Sequence, residues 1–151
     1  KLLWVVERVA LVLSEAGIPR MPARVFGYML TDDSDRYTAA ALAAGLQVSP
    51  AAISGAVRHL TATRMVVKER EPGKRAEIYR VGDGDVCRTI VTAWIPTLVQ
   101  WESALKCATV ELGAQGTGGR PLAEATAFIA FLRNETEGML ERWAEYRRDL
   151  R

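Results

Sequence analysis

Residues 49–58 read SPAAISGAVR, and almost every side chain up to Gly55 is small. A helix can enter the major groove of a duplex only if its leading face lacks bulk, so that its backbone approaches the base edges. Ser49, Ala51, Ser54 and Gly55 supply such a face. Serine hydroxyls can bond a base edge or a phosphate, alanine can touch a thymine methyl, and Arg58 can reach a guanine or a phosphate. Pro50 fits the first helical position, where its missing N–H costs nothing, and Ser49 before it is a candidate N-cap. The free N–H groups of that helix start favour an anion. Close helix–helix packing is the other use for small residues, and it stays open at this level.

A basic cluster follows directly. Arg58, Arg64, Lys68, Arg70, Lys74, Arg75 and Arg80 outweigh Glu69, Glu71 and Glu77, giving this stretch a net charge of +4 although the whole chain carries only +2. Local positive charge is the electrostatic footprint of a polyanion partner. Arg70, Lys74 and Arg75 lie at or near the tip of a predicted hairpin, where they could follow a sugar–phosphate backbone or enter a minor groove. A solvated hairpin with ordinary surface charge is the alternative reading. Thr38, at the start of the preceding helix, is placed for a second backbone contact.

These residues need elements to hold them. Leu2, Val5, Val6, Val9, Val12 and Leu13 recur at helical spacing and predict a first helix over 2–16, with Leu3, Trp4 and Leu11 extending its apolar surface beyond one stripe. A second helix is expected over 21–31, with Val25, Phe26, Met29 and Leu30 facing the core. Thr38 can cap a third, alanine-rich helix, and Gly45 is expected to end it in the left-handed conformation. The fourth helix runs from Ser49 to about Thr63 and buries Ile53, Val57 and Leu60. Residues 65–70 and 77–81 suit two strands around the turn EPGKRA. Asp83 or Asp85 should cap a long helix to about Leu112, in which Pro96 is expected to introduce a kink. The Gly-rich connector GAQGTGGR and a final helix over 121–148 complete the chain.

The segment TAAALAAGLQVSPAAISGAVRHLTATRMVVKEREPGKRAEIYRV resembles the winged-helix core of MarR-type transcriptional regulators, especially the GbsR-like branch. VERVALVLSEAGIPRMPARVFGYMLT is similar to the opening of that branch, and WESALKCATVELG and FIAFLRNETEGMLERW to its C-terminal helices. Arg64 stands where relatives commonly have Gly at the helix-to-strand turn. The resemblance implies a mainly α fold with a small β-hairpin, a winged helix-turn-helix over 21–82, an N-terminal dimerisation helix over 1–20 and a C-terminal helical dimerisation region over 83–151. It implies a homodimer on double-stranded DNA, with a pseudo-palindromic operator whose half-sites lie about 34–36 Å apart. It also implies a repressor that a small lipophilic or aromatic effector can release, and Phe26, Met29, Leu30, Trp94, Leu98 and Trp101 could line the effector cavity or simply fill the core.

Other classes find less support. One His, no convincing carboxylate pair, no phosphate-cradling Gly loop and no Cys–His pair argue against an enzyme, and neither a metal nor another cofactor is expected. Cys87 and Cys107 are expected as small apolar packers in a reducing cytoplasm, with a redox-sensing pair as the alternative. No stretch approaches the ~18 apolar residues of a membrane span, and the apolar start carries Glu7 and Arg8 and reads as a helix rather than a signal peptide. A winged-helix module that binds an acidic protein without touching DNA remains the alternative function.

Overall fold

The structure, a computed structural model, describes residues 1–70, 72–73, 75–82 and 85–150. Lys74 and Asp83, both singled out by the sequence, lie outside the described residues. The order is α1 (Leu2–Glu15), α2 (Arg20–Thr31), α3 (Ala39–Leu46), α4 (Pro50–Ala62), β1 (Val66–Arg70), β2 (Glu77–Val81), α5 (Val86–Leu112) and α6 (Gly119–Asp149). The chain divides into two compact units, and the division falls within α5 between Ile90 and Val91. Among the described residues no single helix is long and apolar enough to cross a membrane.

The first unit is built around α2 and α4. Val25, Phe26 and Met29 on α2 are buried with Ile53, Val57 and Leu60 on α4, the stripe expected from i, i+4, i+7 spacing. Leu42 and Leu46 of α3 complete this core, while Leu30 is only half-buried. Full burial of side chains this size contributes roughly 1.5–3 kcal/mol each, which is what fixes the angle of α4 against its neighbours. α1 lies close along α2: a Cβ added at Gly27 would meet the Val6 carbonyl oxygen at 3.3 Å. Glu7 accepts from Arg24 Nε at 2.5 Å and joins the same two helices. Only Val6 and Ala10 of α1 are buried; Trp4, Leu11 and Val12 are more than 60% exposed.

Two local expectations are corrected. Gly45 does not end α3 in the left-handed conformation; Gln47 does, with φ 55°, and α3 runs on to Leu46. Gly45 is required for a different reason. An added Cβ there would overlap the Tyr28 hydroxyl, so glycine lets the α2 ring pass beneath α3. Cys87 and Cys107 are both exposed free thiols rather than apolar packers, since each falls on the outward side of α5.

The hairpin is antiparallel, with Val66 opposite Val81 and Arg70 opposite Glu77. Arg64 takes φ 61° at the turn into β1, the left-handed geometry that the commoner Gly would adopt freely. Asp85 caps α5, its Oδ1 accepting from Arg88 N at 2.9 Å, and the Thr89 hydroxyl donates to the Asp85 carbonyl at 2.8 Å.

The second unit comprises the rest of α5, with Pro96 inside it, and α6. Leu98, Ile129 and Leu140 are its buried apolar side chains, and Arg133 Nε donates to Glu102 Oε2 at 3.0 Å across the two helices. Trp94, Trp101, Phe128 and Phe131 remain 47–62% exposed.

Candidate nucleic-acid interface

The turn before α4 is built by caps. Thr38 Oγ1 accepts from Ala41 N at 3.1 Å and starts α3; Ser49 Oγ accepts from Ala52 N at 3.3 Å and starts α4, with Pro50 in the first turn. Both caps satisfy one N–H of an otherwise open helix start and fix where each helix begins. That phase sends Ile53, Ala56, Val57 and Leu60 inward and leaves Ser49, Pro50, Ala51, Ser54, Gly55, Arg58 and Ala62 exposed along the other side. The small face is therefore left open among the described residues. At Gly55, an added Cβ would find no atom within 4 Å.

The dimensions suit a duplex. A helix with ordinary side chains is about 10–12 Å across, and the B-DNA major groove is about 12 Å wide and 8.5 Å deep.

The wing beside it is anchored by a contact that the sequence did not disclose. Tyr37 N donates to the Tyr79 carbonyl at 2.8 Å and Tyr79 N to the Tyr37 carbonyl at 2.7 Å, so one residue before α3 acts as a third strand. The Tyr37 ring meets Tyr28 edge-on at 6.0 Å between centroids, and its hydroxyl donates to the Ser34 carbonyl at 2.5 Å. Tyr37 and Tyr79 are 3% and 6% exposed. Burial, with Asp32 as acceptor, raises the Tyr37 phenol well above its ordinary value. Burial and the hydrogen bond to Glu77 push Tyr79 up to about 12.

Charge on the wing is sorted by pairing. Lys68 Nζ meets Glu77 Oε1 at 2.6 Å, and Arg80 Nε meets Glu69 Oε1 at 2.5 Å, with Arg36 Nη2 3.5 Å from the other oxygen of Glu69. The Arg80 hydrogen bond holds Glu69 below the usual carboxylate range, and the Lys68 hydrogen bond does the same for Glu77. Arg58, Arg70 and Arg75 have no ion-pair partner among the described residues, and all three are exposed. A cleft of about 430 Å³ is lined by Arg70, Arg75, Ala76, Glu77 and Tyr79 of the hairpin and by Thr38, Ala39 and Ala40 at the start of α3, with the Glu77 carboxylate paired to Lys68. Two guanidinium groups thus share a concavity with a helix N-terminus, an arrangement that suits an oxyanion such as a backbone phosphate.

A crystal structure of a transcriptional regulator is similar to this chain over 95% of its length and 98% of that protein's, at 20% identity and a TM-score of 0.84. The fold is a winged helix. Weaker likenesses run to MepR, a transcription regulator of the Staphylococcus aureus multidrug efflux pump MepA (14% identity, 98% of this chain and 91% of that one, TM-score 0.42), and to the transcriptional regulator Tm0710 from Thermotoga maritima (17%, 94% and 90%, 0.44). No family model and no curated protein matches the sequence.

In this winged helix, Thr38, Ser49, Pro50, Ala51, Ser54, Gly55, Arg58, Arg70 and Arg75 all belong to the first unit, and Lys74 lies outside the described residues. The six residues assigned to an effector cavity are divided. Phe26 and Met29 are core of the first unit and Leu30 is half-buried there; in the second, Leu98 is buried and Trp94 and Trp101 are exposed. The Tyr37–Tyr79 pairing had only one sequence signal, a β-favouring aromatic just before the Thr38 cap.

Proposed function

We propose that the chain is a cytoplasmic, sequence-specific DNA-binding transcription regulator that represses as a homodimer on a pseudo-palindromic operator. The observation that carries this reading is the exposed, side-chain-poor face of α4 beside the cleft that Arg70 and Arg75 line. In the proposed mode α4 lies in the major groove with Ala51, Ser54, Gly55 and Arg58 toward the base edges. Thr38, Arg70 and Arg75 hold the adjoining phosphates, and Lys74 adds charge at the wing tip.

The exposed apolar surface supports self-association. Trp4, Leu11 and Val12 on α1, and Phe128 and Phe131 on α6, are more than half exposed. Exposed apolar side chains grouped on each of these helices suit an interface. A two-fold dimer would present two winged lobes to successive major grooves about 34–36 Å apart.

Selection of bound sequences from random duplex DNA tests the proposal. The expected product is an inverted repeat with half-site centres about one helical turn apart. Enrichment of nothing, together with salt-dependent capture of an acidic protein, would instead assign the basic wing to a protein partner.

Release by a small lipophilic or aromatic ligand is also proposed. Trp94 and Trp101 give the readout: an effector that contacts these indoles should change their fluorescence as it lowers operator affinity. A ligand acts only through different affinities for the DNA-bound and free lobe spacings. Fluorescence changes without loss of DNA binding, across a library of such compounds, would refute regulation at this site.

A further inference from the structure

We infer that Arg58 is the specificity-determining residue of the DNA interface, reading one guanine in each half-site, and that the remaining positions under α4 are weakly specified. This rests on the proposed docking of α4 in the major groove.

The inference comes from what each polar side chain of α4 already does. The Ser49 hydroxyl oxygen accepts from Ala52 N as the helix cap. The Thr61 hydroxyl donates to the Val57 carbonyl at 2.8 Å and so is turned back onto the helix. His59 is half-buried. Ser54 is exposed, but one hydroxyl both donates and accepts and reads either kind of base edge. Ala51 and Gly55 offer only apolar surface. Arg58 is left as the one exposed multi-donor group on the face, without an ion-pair partner among the described residues.

Its position on α4 separates it from the wing cations. Lys68 and Arg80 are held by Glu77 and Glu69, and Arg70 and Arg75 line the cleft against the start of α3. Arg58 shares its helical face with Ala51, Ser54 and Gly55, at i, i+3, i+4 and i+7. The small residues before it keep the backbone close, so a long side chain seven residues on reaches a base edge rather than the groove rim. Guanine presents two adjacent acceptors, O6 and N7, which match the guanidinium fork; no other base edge does.

The test repeats the random-duplex selection with the wild type, Arg58→Ala and Arg58→Lys. The wild type should enrich one near-invariant G·C pair per half-site among weaker positions. Arg58→Ala should lose that preference, discriminating the guanine about 10- to 100-fold less, and keep its half-site spacing. Arg58→Lys should retain part of the preference, because lysine reads the same acceptors as a point charge. Since Arg58 is exposed, circular dichroism should be unchanged in both variants. If Arg58→Ala enriches the same guanine as the wild type, the inference is wrong. It is equally wrong if the variant weakens all duplexes alike and lowers the salt slope by about one, the signature of a phosphate contact. Should the wild type enrich no sequence, the DNA-binding reading itself fails, an outcome distinct from both.

Discussion

Replacing Gly55 by leucine should move stability and DNA affinity in opposite directions. Glycine inside a helix costs about 1 kcal/mol relative to alanine, and leucine is nearly as good a helix former as alanine. Gly55 lies mid-helix with a helical backbone, and an added Cβ meets no atom within 4 Å. With that open space among the described residues, Gly55→Leu should stabilise the fold by roughly 0.5–1 kcal/mol. For a chain of this size that raises Tm by about 1–4 °C. The same change adds four carbons to the surface proposed to face the bases. Holding α4 away from the groove removes base contacts worth about 1–3 kcal/mol apiece, so operator affinity should fall at least about tenfold. Urea denaturation followed by circular dichroism reads the first effect, and fluorescence anisotropy with a labelled duplex reads the second. Gly55→Ala should give a similar gain in stability and a smaller loss of binding. Destabilisation by leucine would mean that the face is packed in the folded protein. Unchanged affinity would mean that α4 does not enter the groove.

Arg75→Ala should weaken binding to all duplexes and reduce the slope of log K against log salt by about one; an unchanged slope removes Arg75 from the phosphate contacts. Gly45→Ala should destabilise by about 1–2 kcal/mol net, because overpacking against Tyr28 exceeds the gain in helix propensity; in Tyr28→Ala the same change should become neutral or stabilising, and a cost that persists there would locate the clash elsewhere. Tyr79 titrates near 12 when folded and near 10 when unfolded, so its neutral form is favoured by the fold. The stability this provides is complete below about pH 10 and is lost between about 10 and 12, amounting to roughly 2–3 kcal/mol. Tyr37, shifted in the same direction, adds to the loss. Denaturation midpoints should therefore fall steeply above pH 10, less so in Tyr79→Phe; identical profiles for the two proteins would contradict this linkage.

Much of this architecture was legible in residue pattern. Thr38 and Ser49 announce the helix starts because a short polar side chain before an apolar run has one efficient use there. Ile53, Val57 and Leu60 set the phase of α4, and that phase alone turns Ala51, Ser54 and Gly55 outward. What stayed hidden depended on contacts distant in sequence. Gly45 looks like a helix stop, yet its role is set by the Tyr28 ring from another helix, and Gln47 takes up the left-handed turn. The Tyr37–Tyr79 bridge joins residues whose pairing no local propensity encodes. Register places Arg70 opposite Glu77, yet Glu77 bonds Lys68 and Glu69 bonds Arg80, a choice of diagonal partners that a charge count does not contain. Cys87 and Cys107 went the other way: helical location suggested burial, and their angular position on α5 exposes them.

The most direct measurement is an amide NMR titration of the protein with its selected duplex. The account predicts that Ala51, Ser54, Gly55 and Arg58 shift strongly, and that their shifts change when a half-site base pair is altered. Wing amides around Arg70 and Arg75 should respond alike to any duplex. Perturbations confined to the wing, with the amide of Gly55 unmoved at saturation, would contradict groove entry by α4.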